Sequence, residues 1–194
     1  SLAATRVDGD VPSAWGIYVQ TKSKAALSVN GAAGSYGSAI ASYSITGGGF
    51  AGTSDTMTTG FLNTAGTITF TATVTDSRGR TSAAKTVSIS VASYSAPSFS
   101  SYLSQRCSSS GTLASDGTYI KASVSYSYSS CSGKNSVTRA TYYRRMGATS
   151  WTNANKSFSS GTAFTFGSGN ISTESTYEIK YSLTDAFTTI SIID

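Results

Sequence analysis

Between residues 67 and 91 apolar and hydroxyl side chains alternate with a period of two. Ile68, Phe70, Ala72 and Val74 fall on one side, and Thr69, Thr71, Thr73 and Thr75 on the other. This pattern predicts a β-strand with its apolar face inward and its hydroxyl face in water. Asp76-Ser77-Arg78-Gly79 then carries turn chemistry, because Asp bonds nearby backbone and Gly accepts positive φ. Val87, Ile89 and Val91 alternate in a second strand. The same device closes the chain: Tyr177, Ile179, Tyr181 and Leu183 alternate before Thr184-Asp185, and Ile190 and Ile192 after it. Asp76 and Asp185 stand about 100 residues apart, the length of one small β-sandwich. The chain therefore reads as two copies of one plan.

Taken in order, residues 1–14 read as a lead-in or linker. Trp15-Gly16 opens a strand carrying Ile17 and Val19. Lys22-Ser23-Lys24 is polar punctuation, and Ala25, Leu27 and Val29 alternate after it. Residues 31–38 form a Gly/Ala/Ser loop. Ala41, Tyr43 and Ile45 mark a third strand that ends at Gly47-Gly48-Gly49. Residues 50–61 suit short edge strands, so 15–93 complete a first sandwich. Pro97 fixes φ and lacks a donor, marking a short link that restrains the two halves, and 94–194 make the second sandwich. There, Ile120, Ala122, Val124, Tyr126 and Tyr128 share one face of the clearest strand, with Lys121, Ser123, Ser125 and Ser127 on the other. Further strands are expected at 99–106 and 137–145, and around Trp151, Phe158 and 164–166.

About seven short strands per half, separated by turns, predict an all-β fold of two tandem antiparallel β-sandwiches with almost no helix. The first half resembles Ig-like and PKD-like modules through its T-V-T-D-S-x-G pattern. The second has the cadence of a fibronectin type III domain, with a Tyr143…Trp151 pair mid-domain and Tyr177 placed like a tyrosine-corner residue. Both are widely used folds and fix no function.

Composition narrows the chemistry. Charged residues make up only 12% of the 194 residues, against 39% hydrophobic, with 12 Tyr and 19 Gly, which argues against disorder. The net charge of +5 is spread over both halves, and no basic run exceeds Arg144-Arg145. A nucleic-acid binder would concentrate charge on one face, so no nucleic-acid partner is expected. No apolar run reaches transmembrane length, so no membrane insertion is expected. The N-terminus has no apolar signal-peptide core, and the ends read as cuts from a longer polypeptide.

Histidine is absent, which removes Ser-His and Cys-His catalysis, and no G-x-S-x-G motif sits on a strand-turn-helix pattern. No enzymatic activity, no catalytic residue and no cofactor are expected. Asp76 and Asp185 read as turn side chains bonding backbone N–H groups. Asp8-Gly9-Asp10 has oxygen donors suited to Ca²⁺, but two acids alone make no site, and with two Cys and no His there is no zinc set. Tyr126, Tyr128, Tyr142, Tyr143, Trp151 and Tyr177 read as core rather than as a sugar-stacking platform. Tyr36, Tyr102 and Tyr119 fit the core pattern less well and are surface binding candidates, together with Arg144 and Arg145. If the strands flanking Leu113 form a hairpin, Cys131 lies roughly 40 Å along the strand from the partner of Cys107, at ~3.3 Å per residue. Two free thiols follow, because a disulfide needs Cα atoms within about 7 Å.

Three segments carry a more specific resemblance: WGIYVQTKSKAALSVNGAAGSYGSAIASYSIT (15–46), TVTDSRGRT (73–81) and QRCSSSGTLASDGTYIKAS (105–123). Together they resemble the tandem Ig-like modules of minor structural proteins in tailed phages of Gram-positive hosts. The resemblance implies a non-catalytic component of a tail tip, baseplate or fibre, a spacer or docking platform. It implies assembly in the host cytoplasm, which keeps thiols reduced, and residence in the virion. The implied partners are other copies of the chain, in a homo-oligomer, and other tail proteins. Two alternatives stand beside this reading: a receptor-binding module for a host cell-wall glycan, and a repeat of a bacterial surface adhesin.

Overall fold

The computed structural model describes residues 1–194, the side chain of Asp8 excepted. The chain divides into two compact units, Ser1–Tyr94 and Ser95–Asp194. Each is a β-sandwich. Among the described residues the only helical element is a 3-10 turn, Ser13–Trp15, closed by Gly16 at φ 66°.

In the first unit, β1 (Leu2–Asp8), β3 (Ser23–Val29) and β6 (Thr56–Thr58) form one sheet in the order β1-β3-β6. The facing sheet contains β2 (Tyr18–Val19), β4 (Ile40–Gly47), β5 (Phe50–Gly52), β7 (Gly66–Asp76) and β8 (Lys85–Ala92), in the order β2-β8-β7-β4-β5. A short β2 running parallel to the last strand, β8, is an Ig-like arrangement. Leu27, from one sheet, and Ile45 and Phe70, from the other, are fully buried in a shared core, where each such side chain contributes about 1.5–3 kcal/mol. Ile68, Phe70 and Ala72 are buried as their alternation predicts.

Residues 1–14 are not a lead-in. β1 pairs with β3 from Leu2↔Val29 to Asp8↔Ser23, and Leu2 and Val11 are buried. The start at Trp15 is likewise corrected: Trp15 ends the 3-10 turn, and the strand after it holds only Tyr18 and Val19. Ser23, read as polar punctuation, is fully buried. Its hydroxyl accepts the Val19 N–H at 3.0 Å and its carbonyl accepts the Leu62 N–H at 3.0 Å, which satisfies both oxygens inside the core.

In the second unit, β9 (Ser98–Cys107), β10 (Tyr119–Ser127) and β13 (Phe164–Phe166) form one sheet, in the order β13-β10-β9. The other contains β11 (Thr138–Arg145), β12 (Thr152–Asn153), β14 (Tyr177–Thr184) and β15 (Thr189–Ile193), in the order β12-β11-β14-β15. That strand order is the fibronectin type III one. Val124, Ile171, Tyr181 and Leu183 are fully buried. Phe158 lies outside any strand yet is 4% exposed, edge-on to Tyr126 and Tyr181 and stacked on Phe164 at 5.6 Å. The Tyr181 hydroxyl is satisfied by Ser104 Oγ, and burial pushes the phenol pKa up.

Tyr177 opens β14, and its hydroxyl accepts the Ser172 N–H at 3.1 Å and donates to the Asn170 carbonyl at 3.4 Å, a tyrosine corner. Asp185 acts as a turn anchor: one carboxylate oxygen accepts the N–H groups of Phe187 and Thr188, both at 2.9 Å, and the other accepts Asn135 Nδ2 at 3.1 Å. Tyr128 departs from the core expectation at 39% exposure. β10 stops at Ser127, so Tyr128 lies past the end of the strand, where the alternation no longer sets its direction.

Candidate functional site

The best-organised surface feature is the loop pair at one end of the first unit, 30–39 between β3 and β4 and 77–84 between β7 and β8. The first loop is too rich in Gly, Ala and Ser to pack on itself, so it is held from the side by the second. Asp76, the last residue of β7, is the anchor. Its Oδ1 accepts the backbone N–H groups of Arg78 (3.0 Å) and Arg80 (2.9 Å). Its Oδ2 accepts Arg80 Nε and Ser38 Oγ, both at 2.9 Å. The backbone and side-chain donors of Arg80, helped by Ser38 and Arg78, hold its carboxyl well below the usual carboxylate range against the opposing effect of burial.

The two arginines reach on to the first loop. Arg80 Nη2 donates to the Ser35 carbonyl and Arg78 Nη2 to the Tyr36 carbonyl, each at 3.0 Å. Gly34 is required here, because a Cβ would lie 1.9 Å from the Ser38 carbonyl oxygen. The result is a braced tip on which Tyr36, at φ 53°, stands 87% exposed, with the Arg80 guanidinium 6.0 Å from its ring centre. Beside the tip opens a cavity of about 340 Å³ with an apolar floor that includes Ile40, Ala72 and Val74, and with Arg80 and Lys85 among its polar lining. A concave surface with an apolar floor and a few polar groups can bind a ligand. Asp76 has both oxygens engaged and serves as an anchor rather than a base.

The other sequence candidates lie on the second unit. Tyr102 pairs with Val124 across β9 and β10 and is 41% exposed, and Tyr119 opens β10 half-buried opposite Cys107. Arg144 is engaged: its Nε donates to Glu178 Oε2 at 2.6 Å, and its guanidinium lies 4.2 Å from the Trp151 ring centre. Lys180 Nζ lies 4.6 Å from the ring centres of both Trp151 and Tyr142. Trp151 is therefore not a core residue. It lies partly exposed against two cations, each contact contributing about 0.5–1 kcal/mol at such a site. Arg145 is exposed and pairs with Tyr177 across β11 and β14. Burial works to raise the Tyr177 phenol, but the nearby donors of Arg145 and Ser172 and the charges of Arg145 and Arg106 together leave it below its usual pKa.

Sequence reasoning missed Glu178 and Lys180. The signal was present, since both fall on the face of β14 opposite Ile179 and Tyr181. Among the described residues no group of three or more His, Cys, Asp or Glu could hold a metal ion. The Asp8-Gly9-Asp10 motif falls in part outside the described residues, at the Asp8 side chain. No helix of the described residues is long and apolar enough to cross a membrane.

Comparison with known proteins places these features in a lineage. The family described as "Siphovirus protein of unknown function (DUF859)" matches residues 6–193. The chain belongs to this family. The family is one of tailed-phage proteins, and its description names no activity. No curated protein matches the chain. Among solved structures, the FN1–FN3 domains of chicken CNTN1 are similar over 91% of the chain, at 12% identity and a TM-score of 0.28. The alignment spans 64% of that chain. The fold assignment of this siphovirus family member rests on its strand order rather than on that likeness.

Proposed function

We propose that the chain is a non-catalytic structural module of the siphovirus particle, part of a tail-tip, baseplate or fibre protein of a phage with a Gram-positive host, serving as a spacer or docking platform. The observation that carries this reading is a siphovirus family chain built as two β-sandwiches in series. Only residues 93–97 separate the last strand of one from the first strand of the next. The best-connected carboxylates, Asp76 and Asp185, serve turns, and the outward strand positions are largely Ser and Thr. Such a module assembles in the host cytoplasm, with other tail proteins and other copies of itself as partners. Labelling intact particles with an antibody against the chain, viewed by electron microscopy, tests the role. Label on the tail supports it, and label on the capsid alone or on no part of the particle overturns it.

One observation favours a second reading, direct binding of a host cell-wall glycan. Tyr36 is largely exposed on a braced tip beside a cavity, where its ring is free to stack on a sugar face. Tyr102 is the weaker candidate for the same role. Micromolar binding of the intact chain to host wall polysaccharide, lost in Tyr36→Ala, would promote this reading; no binding removes it. Siphovirus membership weighs against a bacterial adhesin.

A further inference from the structure

The edges of the two sandwiches are unequal. Most are blunted by shortness: β2 and β12 have two residues, and β5, β6 and β13 have three. β1 is longer but carries Arg6, whose guanidinium bonds the carbonyls of Ser13 and Ile17. β15 has five residues. β9 has ten, and its only charged residue, Arg106, is turned to the carbonyls of Gly117, Ser172 and Ser175. Among the described residues β9 is the longest edge strand, and it shows exposed Tyr102 (41%) and Leu103 (54%).

The free part of this edge is well bounded. At its start, Ser125 pairs with Ser101 but Tyr126 pairs with Phe99, so Ser100 is bulged out of register. At its end, Cys107 pairs with Tyr119 on one side and bridges Leu113 on the other, so the 112–114 segment caps the outer edge there. The Arg106 carbonyl accepts the Ala114 N–H at 3.2 Å, so the Arg106 backbone faces away from β10. In an antiparallel ladder this direction alternates, so Ser104 and Tyr102 also turn their N–H and C=O groups outward. The open run is 101–105, and its midpoint is Leu103. Leu103 pairs with Ser123, on the outer face of the sheet, since its neighbour Ser104 faces inward to Tyr181.

We infer that a second copy of this chain pairs with this edge, β9 against β9, antiparallel about a two-fold axis at Leu103. Tyr102 of each copy then exchanges its N–H and C=O with Ser104 of the other, Ser101 faces Gln105, and Leu103 packs on Leu103. The run 101–105 carries no charge, so two copies of a chain of net charge +5 meet there without like-charge repulsion. The self-complementary register is what an isologous interface requires. The exposed Leu113 (53%) beside the end of each run extends the apolar contact. This rests on the reading of the chain as an assembly module and names the surface it would use.

Leu103→Cys tests it, because the two axis residues form a non-hydrogen-bonded pair with Cα atoms about 4.5 Å apart, within disulfide range. Cys107 and Cys131 are buried and do not compete. Under mild oxidation L103C should form a covalent dimer at least ~10-fold faster than a control Ser101→Cys, whose thiols the pairing holds apart. The unmodified chain should sediment with a concentration-dependent mass rising toward twice 19.9 kDa, and Leu103→Lys should stay monomeric. Equal crosslinking of L103C and S101C, or a monomer at every concentration, overturns the pairing. Particle labelling is read independently, so a monomeric chain found on the tail would refute this interface and leave the proposed function standing.

Discussion

Asp76 and Arg80 close on each other through both main chain and side chain. The Asp76 N–H donates to the Arg80 carbonyl at 3.0 Å, the Arg80 N–H returns to Oδ1 at 2.9 Å, and the guanidinium lies on Oδ2, with Nη2 at 2.6 Å. Through Ser35 and Ser38, the same groups fix a loop more than 30 residues earlier in the chain, and Arg78 adds a bond to the Tyr36 carbonyl.

This clasp predicts an acid sensitivity. The Asp76 pKa is lowered in the folded chain relative to about 3.9 in the unfolded one. Its contribution to stability is therefore complete above the unfolded value and is lost as the pH falls below it toward the folded value. The thermal midpoint of the first unit's unfolding should drop between about pH 5 and pH 2, and Asp76→Asn should flatten that dependence. In D76N, limited proteolysis should also cut the Tyr36 loop faster. Identical pH profiles for D76N and the parent would contradict the assignment.

In the second unit, removing the Tyr177 hydroxyl should cost less than opening the core. Tyr177→Phe forfeits the corner bonds to Ser172 and Asn170, at about 1 kcal/mol. Val124→Ala and Ile179→Ala leave cavities between the sheets, at about 2–4 kcal/mol each. Chemical denaturation of the three variants measures both. A loss below about 0.5 kcal/mol for Val124→Ala would place its side chain outside the core.

These strands were legible because β7, β10 and β14 alternate strictly, burying Phe70, Val124 and Tyr181 from one face of each. β1 was not legible. Ala3 and Ala4 give little contrast between its faces, and its place comes from pairing with β3 rather than from local pattern. Tyr128 was misread because a period-two count does not show that β10 ends at Ser127. Trp151 was misread because its ring packs on Arg144 and Lys180, which sequence spacing does not bring together. At the candidate site, Tyr36 stood out as an aromatic residue in a Gly/Ala/Ser loop with no strand pattern to absorb it. Its brace was hidden, since the bonds from Arg78 and Arg80 span 42 and 45 residues of chain.

The two cysteines should titrate as two free thiols in the denatured, unreduced chain. Cys107 ends β9 opposite the first residue of β10, while Cys131 lies beyond the far end of β10, and both are buried. Burial raises both thiol pKa values, so in the folded chain they should react slowly with thiol reagents. A denatured count of zero would contradict the topology.

The proposed role requires this siphovirus chain to be a working part of the particle rather than a protein left behind in the infected cell. Mass spectrometry of gradient-purified phage tests it most directly. Peptides from both units should appear in constant ratio to known tail proteins across the particle peak; peptides confined to the lysate and absent from purified particles would rule that role out.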